Sequence, residues 1–182
     1  MRSKPLLINL YGGPGSGKSS AMYEITGRLK NMGIAAEMSP EFVKQKVYSG
    51  DKKTFENQLY ILGNQSFSQS ILIGEVDVIV TDSPLLLSAH YGRNEDYARE
   101  LLSIAKKFNS SFQEFHFFLR RVKPFCQNGR IHNEEQSREI DKELFSLLTT
   151  NVGKEDFNVV NGDSSGTEEI IKFTLKELRN NG

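Results

Sequence analysis

The sequence is poor in several features that would place it in well-marked protein classes. It has one cysteine, Cys126, so no internal disulfide can form, which fits a reducing, cytoplasmic compartment. It has no charge of one sign in excess: 23 Lys plus Arg balance 23 Asp plus Glu. A dedicated duplex-DNA binder gains affinity by neutralising phosphates and is usually basic, so tight non-specific DNA binding is disfavoured. No apolar run reaches the ~20 residues that span a bilayer. The apolar segment Pro5–Tyr11 is too short for a signal peptide and runs straight into glycines. No repeat, low-complexity tract or long linker interrupts the 182 residues. One domain spanning 1–182 is expected, large enough to bury a core without metal or disulfide staples.

What is present alternates strand and helix signals. Leu6–Leu10 is nearly continuous in apolar residues, as in a strand covered on both faces. A helix is expected from about Lys18 to Asn31, with Met22, Ile25 and Leu29 on one stripe and Gly33 at its end. Ile34–Met38 reads as a second strand. Ser39-Pro40-Glu41 then resembles a helix entry, with Ser39 as cap and Pro40 in the first turn. Asp51–Gly74 reads as one long helix containing Phe55, Leu59, Leu62, Phe67 and Ile71. Val76–Thr81 is the clearest β-branched strand. Helices are expected near Pro84–His90, Asn94–Phe108, Glu134–Thr149 and Thr167–Arg179, and strands at Phe115–Leu119 and Phe157–Val160. That alternation predicts an α/β fold, a five-stranded, mainly parallel sheet with helices on both faces.

The strongest motif is Gly12-Gly13-Pro14-Gly15-Ser16-Gly17-Lys18-Ser19, which fits G-x-x-x-x-G-K-[ST] throughout. Its glycines let successive backbone N–H groups turn inward onto phosphate oxygens. The following helix aims its positive end at the same anion. Lys18 then reaches the β- and γ-phosphates, and the Ser19 hydroxyl can ligate Mg²⁺. With a buried strand before it and an amphipathic helix after it, the segment Gly12–Ser20 is expected to bind a nucleoside triphosphate.

Asp82 ends the strand Val78–Thr81, where a phosphate-loop enzyme needs a carboxylate for Mg²⁺; the same residue could simply cap the next helix at Pro84. Glu41 follows the second strand. It fits a base for an acceptor hydroxyl and equally a first-turn helix Glu. Arg120, Arg121, Lys123 and Arg130 cluster after the fourth strand, with Gly129 as a bend. This predicts a basic lid over about 120–133, with Arg121 and Arg130 contacting the transferred group. Gln58, Tyr60 and Gln65 could read and stack on a base, or serve ordinary helix packing. His90, His116 and His132 show no metal-ligand spacing, and Cys126 has no base near it in sequence.

Tyr11–Ser20, Ser39-Pro40-Glu41, Thr81-Asp82-Ser83-Pro84 and Leu119–Arg130 together resemble the small bacteriophage phosphate-loop proteins labelled AAA-family ATPases or nucleotide kinases. That group includes kinases acting on 5-hydroxymethyluracil in phage DNA. The architecture is also similar to deoxynucleoside and nucleoside monophosphate kinases, which implies the sheet order 2-3-1-4-5. The resemblance implies ATP and Mg²⁺ at Gly12–Ser20, catalytic roles for Lys18, Asp82 and Glu41, and lid contacts from Arg121 and Arg130. The implied activity is transfer of the γ-phosphoryl group to a hydroxyl of a pyrimidine nucleotide-type acceptor, with hydroxymethylpyrimidine in phage DNA favoured. A free deoxynucleoside or nucleotide kinase, and an ATPase switch with no acceptor, are the alternatives. Two departures stand out: Ser83 follows Asp82 where those kinases carry an arginine, and no arginine-finger or sensor region of a larger AAA module is legible.

Overall fold

Leu6–Tyr11 (β1) is buried at every position, because successive side chains enter different layers of the molecule. Leu6, Ile8 and Leu10 pack with Met22, Ile25 and Leu29 of α1 (Lys18–Asn31) and with Ile170 and Ile171 of α7 (Ser164–Asn180). On the other face Leu7 meets Ile79 and Phe112, and Tyr11 meets Leu85, Leu101 and Leu144. Each such aliphatic side chain contributes about 1.5–3 kcal/mol on burial. These relations come from a computed structural model that describes residues 4–43, 52–126 and 133–180.

The remaining elements are β2 (Ala36–Ser39), α2 (Lys52–Phe55), α3 (Gln58–Ser70), β3 (Val78–Thr81), α4 (Leu86–Tyr91), α5 (Ala98–Asn109), β4 (Gln113–Arg120), α6 (Glu134–Asn151) and β5 (Phe157–Asn161). The strands form one sheet in the order β2-β3-β1-β4-β5, and every pairing is parallel. Register decides what meets at the carboxyl edge. Asn9 pairs with Thr81, so the loop after Tyr11 emerges beside Asp82. Tyr11 pairs with Phe118 and Arg120 with Asn161, which brings Arg121 and Gly162 to the other side of that loop. Ligands bind at such edges, where the chain runs away to both sides of one strand.

Two expectations are corrected here. Ser39 closes β2 and does not cap a helix, and Pro40–Val43 is irregular backbone and turn; residues 44–51 lie outside the described set. The expected long helix from 51 to 74 is two helices. Asn57 breaks it, its side chain accepting the Tyr60 N–H at 2.9 Å as the cap of α3. α3 is also turned over relative to its apolar pattern: it buries Gln58, Gln65, Ser66 and Gln69 with Ile61 and Leu62, while Leu59, Phe67 and Ile71 face outward. Hydrogen bonding accounts for part of this inversion. The Gln65 carboxamide accepts from the Phe42 N–H (3.1 Å) and donates to Ser39 Oγ (3.0 Å), which holds the turn carrying Glu41. An apolar residue there would take away the acceptor of the Phe42 N–H and leave Ser39 Oγ with Ser68 alone. Gln65 is therefore committed to the Ser39–Phe42 turn, and Tyr60 sets its ring edge-on to Phe42 at 5.6 Å.

Beneath the sheet lies a polar cluster that the sequence did not single out. The Glu114 Oε1 atom accepts from Asn109 Nδ2 at 2.6 Å and from Asn9 Nδ2 at 3.0 Å. His116 Nδ1 pairs with the Tyr11 hydroxyl at 3.2 Å, and its other ring nitrogen lies 3.8 Å from Glu114. Burial pushes Glu114 up to about 7 and His116 down to about 4. The native state thus holds the Glu114 proton more tightly than the unfolded chain does. That stability is complete below pH ~4.5 and is lost as pH rises through ~7. His116 works in the opposite sense, adding stability as pH rises between ~4 and ~6.5. Comparison with Glu114→Gln isolates the first effect, because glutamine keeps the acceptor for both asparagines. In urea unfolding, the variant should gain about 2 kcal/mol on wild type between pH 5 and pH 8. A difference that stays flat across this range would mean Glu114 is ionised throughout.

Candidate active site

The loop from Gly12 to Gly17 wraps the start of α1, and its curvature depends on glycine where backbone elements close in. Gly17 has φ of +103°, and a Cβ there would meet the Gly162 carbonyl oxygen at 2.4 Å. Gly13 faces α6, where a Cβ would lie 2.4 Å from the Ser137 carbonyl oxygen. α1 has no side-chain cap and no acidic residue in its first turn. Its leading N–H groups and positive dipole end therefore remain directed at the loop's concavity, as an anion requires.

Lys18 folds back over the loop, donating to the Gly12 carbonyl at 2.5 Å and the Gly13 carbonyl at 3.2 Å. Burial lowers its pKa, and the charges of Glu41, Asp82 and Asp141 oppose that shift. The charges of three carboxylates, one after β2, one after β3 and one on α6, thus act on the Lys18 ammonium. Asp82 is buried, with one oxygen accepting the Ser19 hydroxyl at 2.5 Å and the other accepting the Glu41 backbone N–H at 2.9 Å. It does not cap the following helix: Leu85 occupies the cap of α4, with no side-chain bond. The paired Ser19 hydroxyl and Asp82 carboxylate are hard oxygen donors of the kind Mg²⁺ takes. Among the described residues, no cluster of three or more His, Cys, Asp or Glu could hold a metal on its own.

Arg121 is inside the structure, its side chain only 4% exposed. It donates to the Pro14 carbonyl at 2.7 Å, the Ser137 hydroxyl at 2.6 Å and Asp141 at 2.9 Å. Asp141 uses its second oxygen on the Gly13 N–H at 2.5 Å, and Ser137 also donates to the Pro14 carbonyl at 2.6 Å. Arg121 is therefore a strut between the phosphate loop and α6, with Phe125 beneath its guanidinium at 5.7 Å. Arg130, Gly129 and His132 lie outside the described residues. Lys123 and Cys126 are exposed. Ser137 and Asp141 are site residues that sequence reasoning missed. Their signal was present: two polar positions four apart on an amphipathic helix lie on one face. Tyr91, at the end of α4, is 42% exposed and sets its ring edge-on to His90 at 4.8 Å.

This arrangement matches known proteins at two levels. The AAA domain family matches residues 7–163, a stretch that contains the loop, Asp82 and the Arg121–Asp141 strut. The chain belongs to that family. No curated protein matches it. Two crystal structures of NadR protein share the fold. The one in complex with NR has a TM-score of 0.67 at 12% identity, over 93% of this chain and 52% of its own. The one in complex with NAD and AMP-PNP has a TM-score of 0.65 at 13% identity, over 95% and 49%. The chain thus spans about half the length of these NadR structures, and its AAA domain is of the phosphate-loop NTPase type. Among the described residues no helix is long and apolar enough to cross a membrane.

Proposed function

We propose that this protein is an ATP-dependent kinase that transfers the γ-phosphoryl group to a hydroxyl of a pyrimidine nucleotide-type acceptor. The observation that carries the reading is the position of Asp82, which joins the Ser19 hydroxyl to the turn bearing Glu41. A nucleotide-binding loop and an acceptor-side carboxylate are thereby tied together next to Lys18. A carboxylate there serves an acceptor hydroxyl or an attacking water, and acceptor dependence separates a kinase from an ATPase switch. AMP-PNP in a NadR structure of the same fold supports ATP as the donor.

In this reading Gly12–Ser20 cradles the triphosphate and Lys18 leaves its loop carbonyls to meet the β- and γ-phosphates. Ser19 and Asp82 would hold Mg²⁺, which draws charge from the phosphate oxygens. The Glu41 carboxylate takes the proton of the acceptor hydroxyl, the acceptor oxygen bonds to the γ-phosphorus, and the bond to the β–γ bridging oxygen breaks to release ADP. Arg121 keeps the loop in register, and Arg130 supplies lid charge from the segment at about 120–133. Residues 1–182 would form one phosphate-loop kinase domain acting in the cytoplasm. 5-Hydroxymethyluracil in phage DNA is the favoured acceptor, and a free deoxynucleoside or nucleotide is the second.

Incubation with [γ-³²P]ATP and a panel of nucleosides, nucleotides and hydroxymethylated DNAs tests this directly. Label should move to one acceptor class, and that acceptor should speed ADP formation. Phosphate released to water at one rate, whatever is offered, would replace the kinase by an ATPase switch.

A further inference from the structure

Among the described residues, nothing covers the outward face of α3. Leu59 is 51% exposed, Phe67 65% and Ile71 56%, and on neighbouring α5 Ile104 and Phe108 are 38% and 41% exposed. Leu59, Leu62, Gly63, Phe67, Ile104 and Phe108 line an open groove of about 310 Å³ between the two helices. Charge is missing from α3, and the only polar side chains on the groove are the hydroxyls of Ser66 and Ser70. In a chain with 25% charged residues, none occurs from Asn57 through Gly74. Soluble surfaces rarely leave such a patch to water.

We propose that this face is covered by a second copy of the same chain, packed two-fold across α3 and α5. Three observations select that occupant over a partner of different chemistry. The α3 half of the face presents no sign for an acidic or basic partner to complement, and across a two-fold axis α3 meets α3 without charge repulsion, while the exposed α5 charges Lys106 and Lys107 are not among the residues lining the groove. Knob and hole lie on one surface: Phe67 projects at the edge of the groove, so each copy can insert its ring into the other. The area also fits, since the projecting apolar side chains offer on the order of 600 Å² against the ~800 Å² per partner of a standard interface.

Gly63 adds a further mark. It lies within α3, where glycine costs about 1 kcal/mol relative to alanine. Among the described residues a Cβ at this position would meet no atom within 4 Å, so none of their contacts calls for glycine there. Close approach of a second α3 across the groove supplies the reason. The inference is independent of what the protein phosphorylates.

Sedimentation velocity over a concentration series, with circular dichroism as the folding control, tests it. Wild type should sediment as a reversible dimer. Gly63→Arg meets open space within the chain and favours helix, so it should fold at least as well as wild type. Its dimer should nevertheless weaken about 100-fold or more, as when an interface centre is filled. Phe67→Glu should do the same without loss of helix. Met32→Glu, which alters another half-exposed apolar residue, at the end of α1, should leave the dimer intact. A wild type that stays monomeric at every concentration, or a dimer that persists in folded Gly63→Arg and Phe67→Glu, overturns the proposal.

Discussion

Lys18→Ala should lower phosphoryl transfer about 100-fold or more, which corresponds to roughly 3 kcal/mol of lost transition-state stabilisation. The ammonium is the only side-chain cation bonded to the loop's own Gly12 and Gly13 carbonyls among the described residues other than the Arg121 strut on Pro14. It also stands in the combined field of Glu41, Asp82 and Asp141, and the neighbouring Arg121 is committed to Pro14, Ser137 and Asp141. Folding should be little affected, because the loop remains tied to α6 through Arg121, Ser137 and Asp141. Thermal unfolding run beside the transfer assay separates the two effects. Wild-type turnover in the variant would remove Lys18 from the chemistry, and with it the role assigned to the loop.

Asp82→Asn is expected to act almost as strongly, through the metal. Asparagine keeps the size of the side chain and an oxygen for the Glu41 N–H, but carries no charge towards Ser19. We expect turnover to fall on the order of 100-fold, with half-maximal activity moved to higher Mg²⁺. The unfolding midpoint should stay close to that of wild type, since both hydrogen-bond positions can still be filled. An unchanged Mg²⁺ titration would return Asp82 to a purely structural part, holding Ser19 and the Glu41 turn together.

Much of this frame was legible before any coordinates, and the reasons are local. β1 and β3 are written in apolar and β-branched runs that a two-sided parallel strand demands, and the phosphate loop needs glycine at fixed offsets whatever surrounds it. The helix expected from 51 to 74 shows where that reasoning stops. It reads as one helix containing Phe55, Leu59, Leu62, Phe67 and Ile71, yet Leu59, Phe67 and Ile71 face outward. Instead Gln65 turns inward because Ser39 and Phe42, distant in sequence, need its amide. Arg121 is a similar case. A basic residue after a strand reads as mobile surface charge, and only the approach of α6 shows it to be a buried strut.

The sequence by itself determined the strand and helix alternation, the phosphate loop and the acid at the end of β3, because backbone preference and side-chain period act within a few residues. Tertiary structure alone decided that Asp82 bonds Ser19 and the Glu41 turn instead of capping α4, that Ser137 and Asp141 close on Gly13 and Pro14, and that α3 turns its apolar residues outward. These outcomes depend on which strands lie side by side and on which buried polar groups must find partners. That is a property of the assembled sheet and its layers, and no single segment contains it.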